Sequence, residues 1–211
     1  MTLQASKLLI SLIIDNSATM KGEKFNRLKV ALDNFTQAVA GSEIGNLIEY
    51  SIIGFEALRP KVYKGFMDDC TMLTRFSAGG IPLLPKTFNL ALSNLETRVD
   101  ELRNAGMELF KPWLVVLTDG KSFGDFKSII EKLNTLKSSG QLTYFPFLLS
   151  DMDIDDSLND LFKFMRPMPI INYKYEELFK WIFNTAKARI HTPLNQGFSL
   201  NPQSFDGWVK R

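Results

Sequence analysis

The fold class this chain predicts is α/β, a doubly wound, mostly parallel six-stranded sheet flanked by helices, and three observations point to it. Apolar runs of strand length alternate with segments whose apolar residues recur at helical spacing, which implies right-handed crossovers and a sheet covered on both faces. Two of the runs, Lys7 to Ile14 (KLLISLII) and Lys111 to Thr118 (KPWLVVLT), are almost continuously apolar, as strands buried on both faces are. Both end abruptly in an acid, Asp15 and Asp119. Polar side chains at the carboxyl ends of buried strands sit where open α/β sheets place their ligand sites.

The first run carries six aliphatic residues around Ser11 and leads into Asp15-Asn16-Ser17-Ala18-Thr19. Asp15, Ser17 and Thr19 offer one carboxylate and two hydroxyls at alternating positions, hard oxygen donors of the kind Mg²⁺ takes. The same residue types also suit a polar turn that caps the next helix. Phe25, Leu28, Leu32, Phe35 and Val39 then fall at helical spacing, a helix of about four turns, with Gly41 and Gly45 at its end. Ile48 to Phe55 reads as a second strand closed by an Arg59-Pro60 turn, and Lys61 to Asp69 holds a short edge strand guarded by its charges.

A Gly-rich loop, Phe76 to Pro82, precedes a helix from Pro85 to Ala105, where proline suits the first turn. After the strand ending at Thr118 and its terminal acid, Asp119, the residues Phe126, Ile129, Ile130, Leu133 and Leu136 form a helix stopped by Gly140. Leu142 to Leu149 is a strand whose Pro146 indicates an edge position or a bulge. A short helix (Asp156 to Phe164), a short strand (Met168 to Asn172) and a last helix (Tyr175 to Ile190) complete a domain over residues 1–190. Residues 191–211 read as an extended C-terminal tail, with Phe198, Phe205 and Trp208 expected to anchor it to the domain's own surface.

Composition excludes some classes. The chain of 211 residues carries a net charge of +2, which argues for neither nucleic acid nor an anionic membrane as partner. Cys70 is the single cysteine, so no intrachain disulfide and no cysteine metal site can form, and a cytoplasmic location is expected. The apolar run at the N-terminus is too short to span a bilayer and reads as a strand. His191, the single histidine, ends a helix where it suits the negative pole of the dipole. With no second histidine and no nucleophile motif, Ser/His and Cys/His catalysis have no candidates. Asp68 and Asp69, or the Ser150–Ser157 run with Asp151, Asp153, Asp155 and Asp156, suggest calcium. The second run lacks the Gly and the downstream Glu of an EF-hand loop and reads as a solvated loop capping the next helix.

Asp15-x-Ser17-x-Thr19 and Thr118-Asp119-Gly120, with Gly79-Gly80 between them, resemble the motifs of a von Willebrand factor A domain. The flanks Met20-Lys21-Gly22-Glu23, Lys111-Pro112-Trp113, Glu177 to Trp181 and Gly207-Trp208 are similar to the bacterial tellurite-resistance type of that family, over nearly the whole chain. The resemblance implies a metal-ion-dependent adhesion site in which Asp15, Ser17, Thr19 and Asp119 hold Mg²⁺. Gly79, Gly80, Ile81 and Lys121 would then frame the partner-binding surface. Two departures weaken the ion: Ile81 stands where the family has an oxygen-bearing threonine, and Lys121 replaces an acidic residue. Water in place of a hydroxyl ligand costs ~1–3 kcal/mol.

The function the resemblance implies is a non-enzymatic adaptor in a bacterial tellurite, stress-resistance or phage-defence system, with a Ser/Thr kinase and a PP2C-like phosphatase as partners. A metal-free scaffold that binds by other surfaces is the alternative. A phosphotransfer enzyme using Asp15 is a third reading, in which Ser17 stands where a second acid is needed and Lys121 and Asp119 are poor matches to the remaining motifs.

Overall fold

The computed structural model describes residues 6–68, 75–149, 154–194, 196, 198 and 205–210. Cys70, Asp69, Asp151 and Asp153 lie outside the described residues. The elements are β1 (Leu8–Ile14), α1 (Glu23–Ala40), β2 (Ile48–Glu56), β3 (Arg59–Lys64), α2 (Leu84–Asn104), β4 (Trp113–Thr118), α3 (Lys127–Ser138), β5 (Thr143–Leu149), α4 (Asn159–Met165), β6 (Met168–Ile170) and α5 (Tyr175–Ile190). The sheet order is β3-β2-β1-β4-β5-β6. Every neighbouring pair is parallel except β2–β3. The expected six-stranded, mostly parallel sheet is therefore present.

Alternation along β1 builds two cores. Leu8, Ile10, Leu12 and Ile14 face α1 and α5, where Leu28, Phe35, Phe179 and Ile182 meet them. Leu9 and Ile13 face the opposite layer, with Phe88 and Leu92 of α2 and Ile129 of α3. With helices on both faces, no residue of β1 is left to solvent, as its nearly unbroken apolar sequence requires. The crossover connections all return over the sheet, so the carboxyl ends of β1 and β4, which pair directly, emerge side by side.

Two expectations about proline need correction. The chain reverses at Ala57-Leu58, with Ala57 at φ 52°, and Arg59-Pro60 already belongs to β3, opposite Glu56 and Phe55. Proline is tolerated there because β3 is an edge strand. Pro146 lies in β5, which is neither an edge nor bulged against β4, since its register runs unbroken from Trp113↔Thr143 to Thr118↔Leu148. Thr143 N–H bonds toward β4, to Pro112 O, so by alternation position 146 points its nitrogen toward β6. That strand begins pairing only at Phe147↔Met168. The missing donor falls where no acceptor strand has yet started.

The described end of the tail docks on the domain. Trp208 is buried beside Trp181 and Phe147, with Phe205 against Trp181 at 5.1 Å between ring centroids. Ile171 N–H donates to Trp208 O, Lys210 N–H donates to Pro169 O, and Val209 forms an antiparallel bridge with Ile170. The segment thus covers the free edge of β6. Trp208→Ala is expected to lower stability by about 3 kcal/mol in urea titration, the low end of the cost of truncating a buried Trp. A loss under about 0.5 kcal/mol would mean that this contact does not contribute.

Candidate functional site

β1 ends in Asp15, which is buried, as is Asn16 behind it. Asn16 turns away from the cleft and acts as a clamp. Its Nδ2 donates to Phe55 O at 2.9 Å and Ser77 O at 2.8 Å and lies 3.1 Å from Tyr63 Oη, while its Oδ1 accepts the Phe55 N–H. Gly54 has no Cβ because one would stand 2.6 Å from Asn16 Oδ1. The 76–82 loop is drawn alongside: Gly79 N–H donates to Asn16 O, Ala18 N–H donates to Gly80 O, and Ser17 pairs with Gly80 as a parallel bridge. A Cβ on Gly80 would sit 2.6 Å from Phe55 Cβ and 3.1 Å from its carbonyl carbon, so the close approach to Phe55 is what demands glycine here.

Asp15 accepts hydrogen bonds on both oxygens, Oδ1 from Ser17 N–H at 2.9 Å and Oδ2 from Thr118 Oγ1 at 3.0 Å and Asp119 N–H at 3.3 Å. Burial first, and the charge of Asp119 second, push its carboxyl up from 3.8 to about 6 against the lowering effect of these bonds. Asp119 is buried too. Its Oδ1 accepts Lys121 N–H at 3.2 Å, and its Oδ2 has no hydrogen-bond partner. A buried carboxylate oxygen left unpaired beside a second buried acid is costly, and a cation is the usual remedy.

Ser17 Oγ and Thr19 Oγ1 stand 2.8 Å apart. They share a hydrogen bond of ordinary length, and because adjacent ligands of an octahedral ion with bonds of 2.0–2.1 Å stand about 2.9 Å apart, the same spacing would suit cis ligands. The donor set fits Mg²⁺: Ser17, Thr19 and Asp119 Oδ2 would hold it, with Asp15, whose oxygens are occupied, acting through water. Among the described residues no three His, Cys, Asp or Glu side chains come together as a metal cluster. The candidate site therefore depends on hydroxyls and two carboxylates, which suits a hard ion that keeps several waters.

The structure brings Ser17, Thr19, Gly80, Ile81 and Lys121 to one open cleft of about 790 Å³. Ile81 lies at its rim, with its N–H bonded to Ala57 O and no side-chain oxygen to offer. Lys121 does not stand free beside the ion's place: its Nζ reaches Asp155 Oδ1 at 3.1 Å. Asp155 also accepts Ser122 N–H, and that bond with Lys121 holds its carboxyl below the usual range against partial burial. Asp155 stands at the N-cap of the 3-10 turn Asp156–Leu158 but makes no capping bond there. It ties the loop after β4 down instead, a correction to the expected capping role. His191, exposed at the end of α5, bonds Lys187 O, as the helix-end reading expects.

Sequence reasoning missed the Asn16 clamp, the Lys121–Asp155 pair and Tyr175. The phenol of Tyr175 is buried without a hydrogen-bond partner and is pushed far up by burial, then by Tyr173, Asp15 and Asp119. It lies within electrostatic reach of the two acids.

No protein-family model matches the chain, and no curated protein matches it. Solved structures do. Two crystal forms of proximal thread matrix protein 1 from the mussel byssus align at a TM-score of 0.55 with 13% and 15% identity, over 89% and 88% of this chain. They share 48% and 47% of that protein's length, so the chain spans about half of it. The SpRpn10 VWA domain aligns at a TM-score of 0.53 with 14% identity, over 75% of this chain and 81% of that domain. The fold is that of the von Willebrand A domain.

Proposed function

We propose that this chain is a non-enzymatic protein-interaction module that captures a partner protein through a divalent cation held by Asp15, Ser17, Thr19 and Asp119. Gly79, Gly80, Ile81 and Lys121 frame the contact surface. The observation that carries this reading is the unpaired, buried Oδ2 of Asp119 next to buried Asp15 and a pair of hydroxyls at cis-ligand spacing. An ion supplies positive charge with open coordination positions, which a partner's oxygen can complete. The phosphotransfer reading has less support, because Lys121, the basic residue it needs, is engaged by Asp155.

The setting we propose, a bacterial tellurite, stress-resistance or phage-defence system with a Ser/Thr kinase and a PP2C-like phosphatase as partners, rests on the motif flanks in the sequence. So does a cytoplasmic location, on a single cysteine. Among the described residues no helix is long and apolar enough to cross a membrane.

Calorimetric titration with Mg²⁺ and Mn²⁺ tests the ion. The natural protein is expected to bind at or below millimolar concentration. Ile81→Thr is expected to bind about tenfold more tightly, the worth of one restored oxygen ligand. Silence from the natural protein with binding by Ile81→Thr would mean a lapsed site and a metal-free scaffold. Silence from both would sink the donor set itself.

A further inference from the structure

Phe123 is 63% exposed and Ile81 is 37% exposed. Both line the same cleft, beside Ser17 and Thr19. Large apolar side chains left in water are ordinary when scattered, but two at one cleft mark a contact surface. These two arise from separate loops that are locked together at Pro82. Phe123 N–H and Ser122 Oγ both donate to Pro82 O, at 2.9 and 3.1 Å. Ser122 is held in turn by Asp155 through its N–H and by Ser157 Oγ through its carbonyl. Gly124, at φ 116°, lets the chain pass close over Pro85. Phe123 is therefore displayed on a loop whose backbone is fixed, so covering it costs the partner no loop ordering.

We infer that Ile81, Pro82 and Phe123 form an apolar subsite next to the cation, and that its occupant is a protein segment carrying a carboxylate with a large aliphatic or aromatic side chain close beside it. This inference rests on the adhesion-site reading for the carboxylate and adds the apolar requirement. Ile81 then has a positive role: the side chain that forfeits an oxygen ligand supplies one wall of the subsite. The charges choose among partner classes. The one basic side chain lining the cleft among the described residues, Lys121, is paired with Asp155. Beside it, Lys24 Nζ reaches Thr19 O at 3.4 Å, so the cleft has no cluster of lysines and arginines to take a phosphate backbone or headgroup, and the strongest attraction for an anion is the ion.

The test is selection of a displayed library of short random peptides on the full chain in millimolar Mg²⁺, beside Phe123→Ser and Asp119→Asn, with Mg²⁺ titration of each protein. Peptides with Asp or Glu within a residue or two of a large apolar side chain are expected from the natural protein. Phe123→Ser is expected to bind Mg²⁺ unchanged and those peptides about tenfold more weakly, and Asp119→Asn to lose both. Selected peptides with an acid but no apolar preference, equal affinity for Phe123→Ser, or no enrichment over that variant would each overturn the subsite and leave the ion site standing. Peptides that bind as well after the metal is chelated would overturn the adhesion-site reading beneath it.

Discussion

Asn16→Ala will cost about 3–5 kcal/mol of stability, more than any other single change at the top of the sheet, because one side chain satisfies several buried backbone groups. Without it the Phe55 N–H loses its partner in a region closed to water and the half-buried Ser77 O loses its anchor, while Phe55 O keeps the Tyr63 hydroxyl. Each orphaned group costs about 1–3 kcal/mol, and the vacated volume adds to that. Asn16→Asp keeps the shape but cannot donate, and it buries a charge beside two carbonyls, so it offers no rescue. The damage reaches function through the loop: Gly79 and Gly80 are registered on residues 16–18, and with Ser77 released the cleft loses one wall. Urea titration and Mg²⁺ calorimetry on the same preparation measure both effects. A loss below about 1 kcal/mol would show that the loop holds itself in place.

How much of this could be read from the sequence follows from the distance over which each interaction acts. The helix Tyr175–Ile190 and the strand ends at Asp15 and Asp119 were readable because periodicity and the edges of apolar runs are local signals. The meeting of Asp15 with Asp119 was readable through topology, since buried parallel strands place both carboxyl ends on one rim. The partners of Asn16 lie 39, 47 and 61 residues away, and nothing local marks it apart from any other polar residue of a turn. Lys121 and Asp155 are 34 residues apart, so a lysine that reads as opposing a metal turns out to be neutralised by an acid from a loop that reads as solvated. The two prolines misled for the same reason: whether a missing N–H matters depends on whether a strand lies on the side the nitrogen faces, and β3 is an edge while β6 has not begun at Pro146. Trp208 is the reverse case, where aromatic residues in an unpatterned tail suggested docking and the free edge of β6 receives it.

In the proposed site the ion and a proton would compete at Asp15, and that competition would set a pH signature. The Asp15 carboxyl is raised from 3.8 to about 6, chiefly by burial and next by Asp119. A raised acid favours its protonated form in the fold, so between about pH 4 and pH 6 the folded chain holds more protons than the unfolded one. The contribution of Asp15 to stability is therefore full below about pH 4 and is lost as pH rises through about 6, on the order of 3 kcal/mol. Mg²⁺ bound in the proposed site would reverse this, because it requires Asp15 ionised. Its affinity should be constant above about pH 7 and fall nearly tenfold per unit below 6. At ten times its dissociation constant it stabilises the fold by about 1.4 kcal/mol at neutral pH and by little at pH 5. Asp119→Asn should weaken Mg²⁺ about a hundredfold or more, through the loss of both a ligand and half of the negative charge. The same change lowers the Asp15 carboxyl only in part, because burial, the larger cause, remains. Its metal-free stability should accordingly vary less with pH than that of the natural protein, without becoming flat. Thermal melts from pH 5 to pH 8, with and without Mg²⁺, separate these terms. A Mg²⁺ effect that is the same at pH 5 and pH 7.5, or that survives in Asp119→Asn, would place the ion somewhere other than between these two acids.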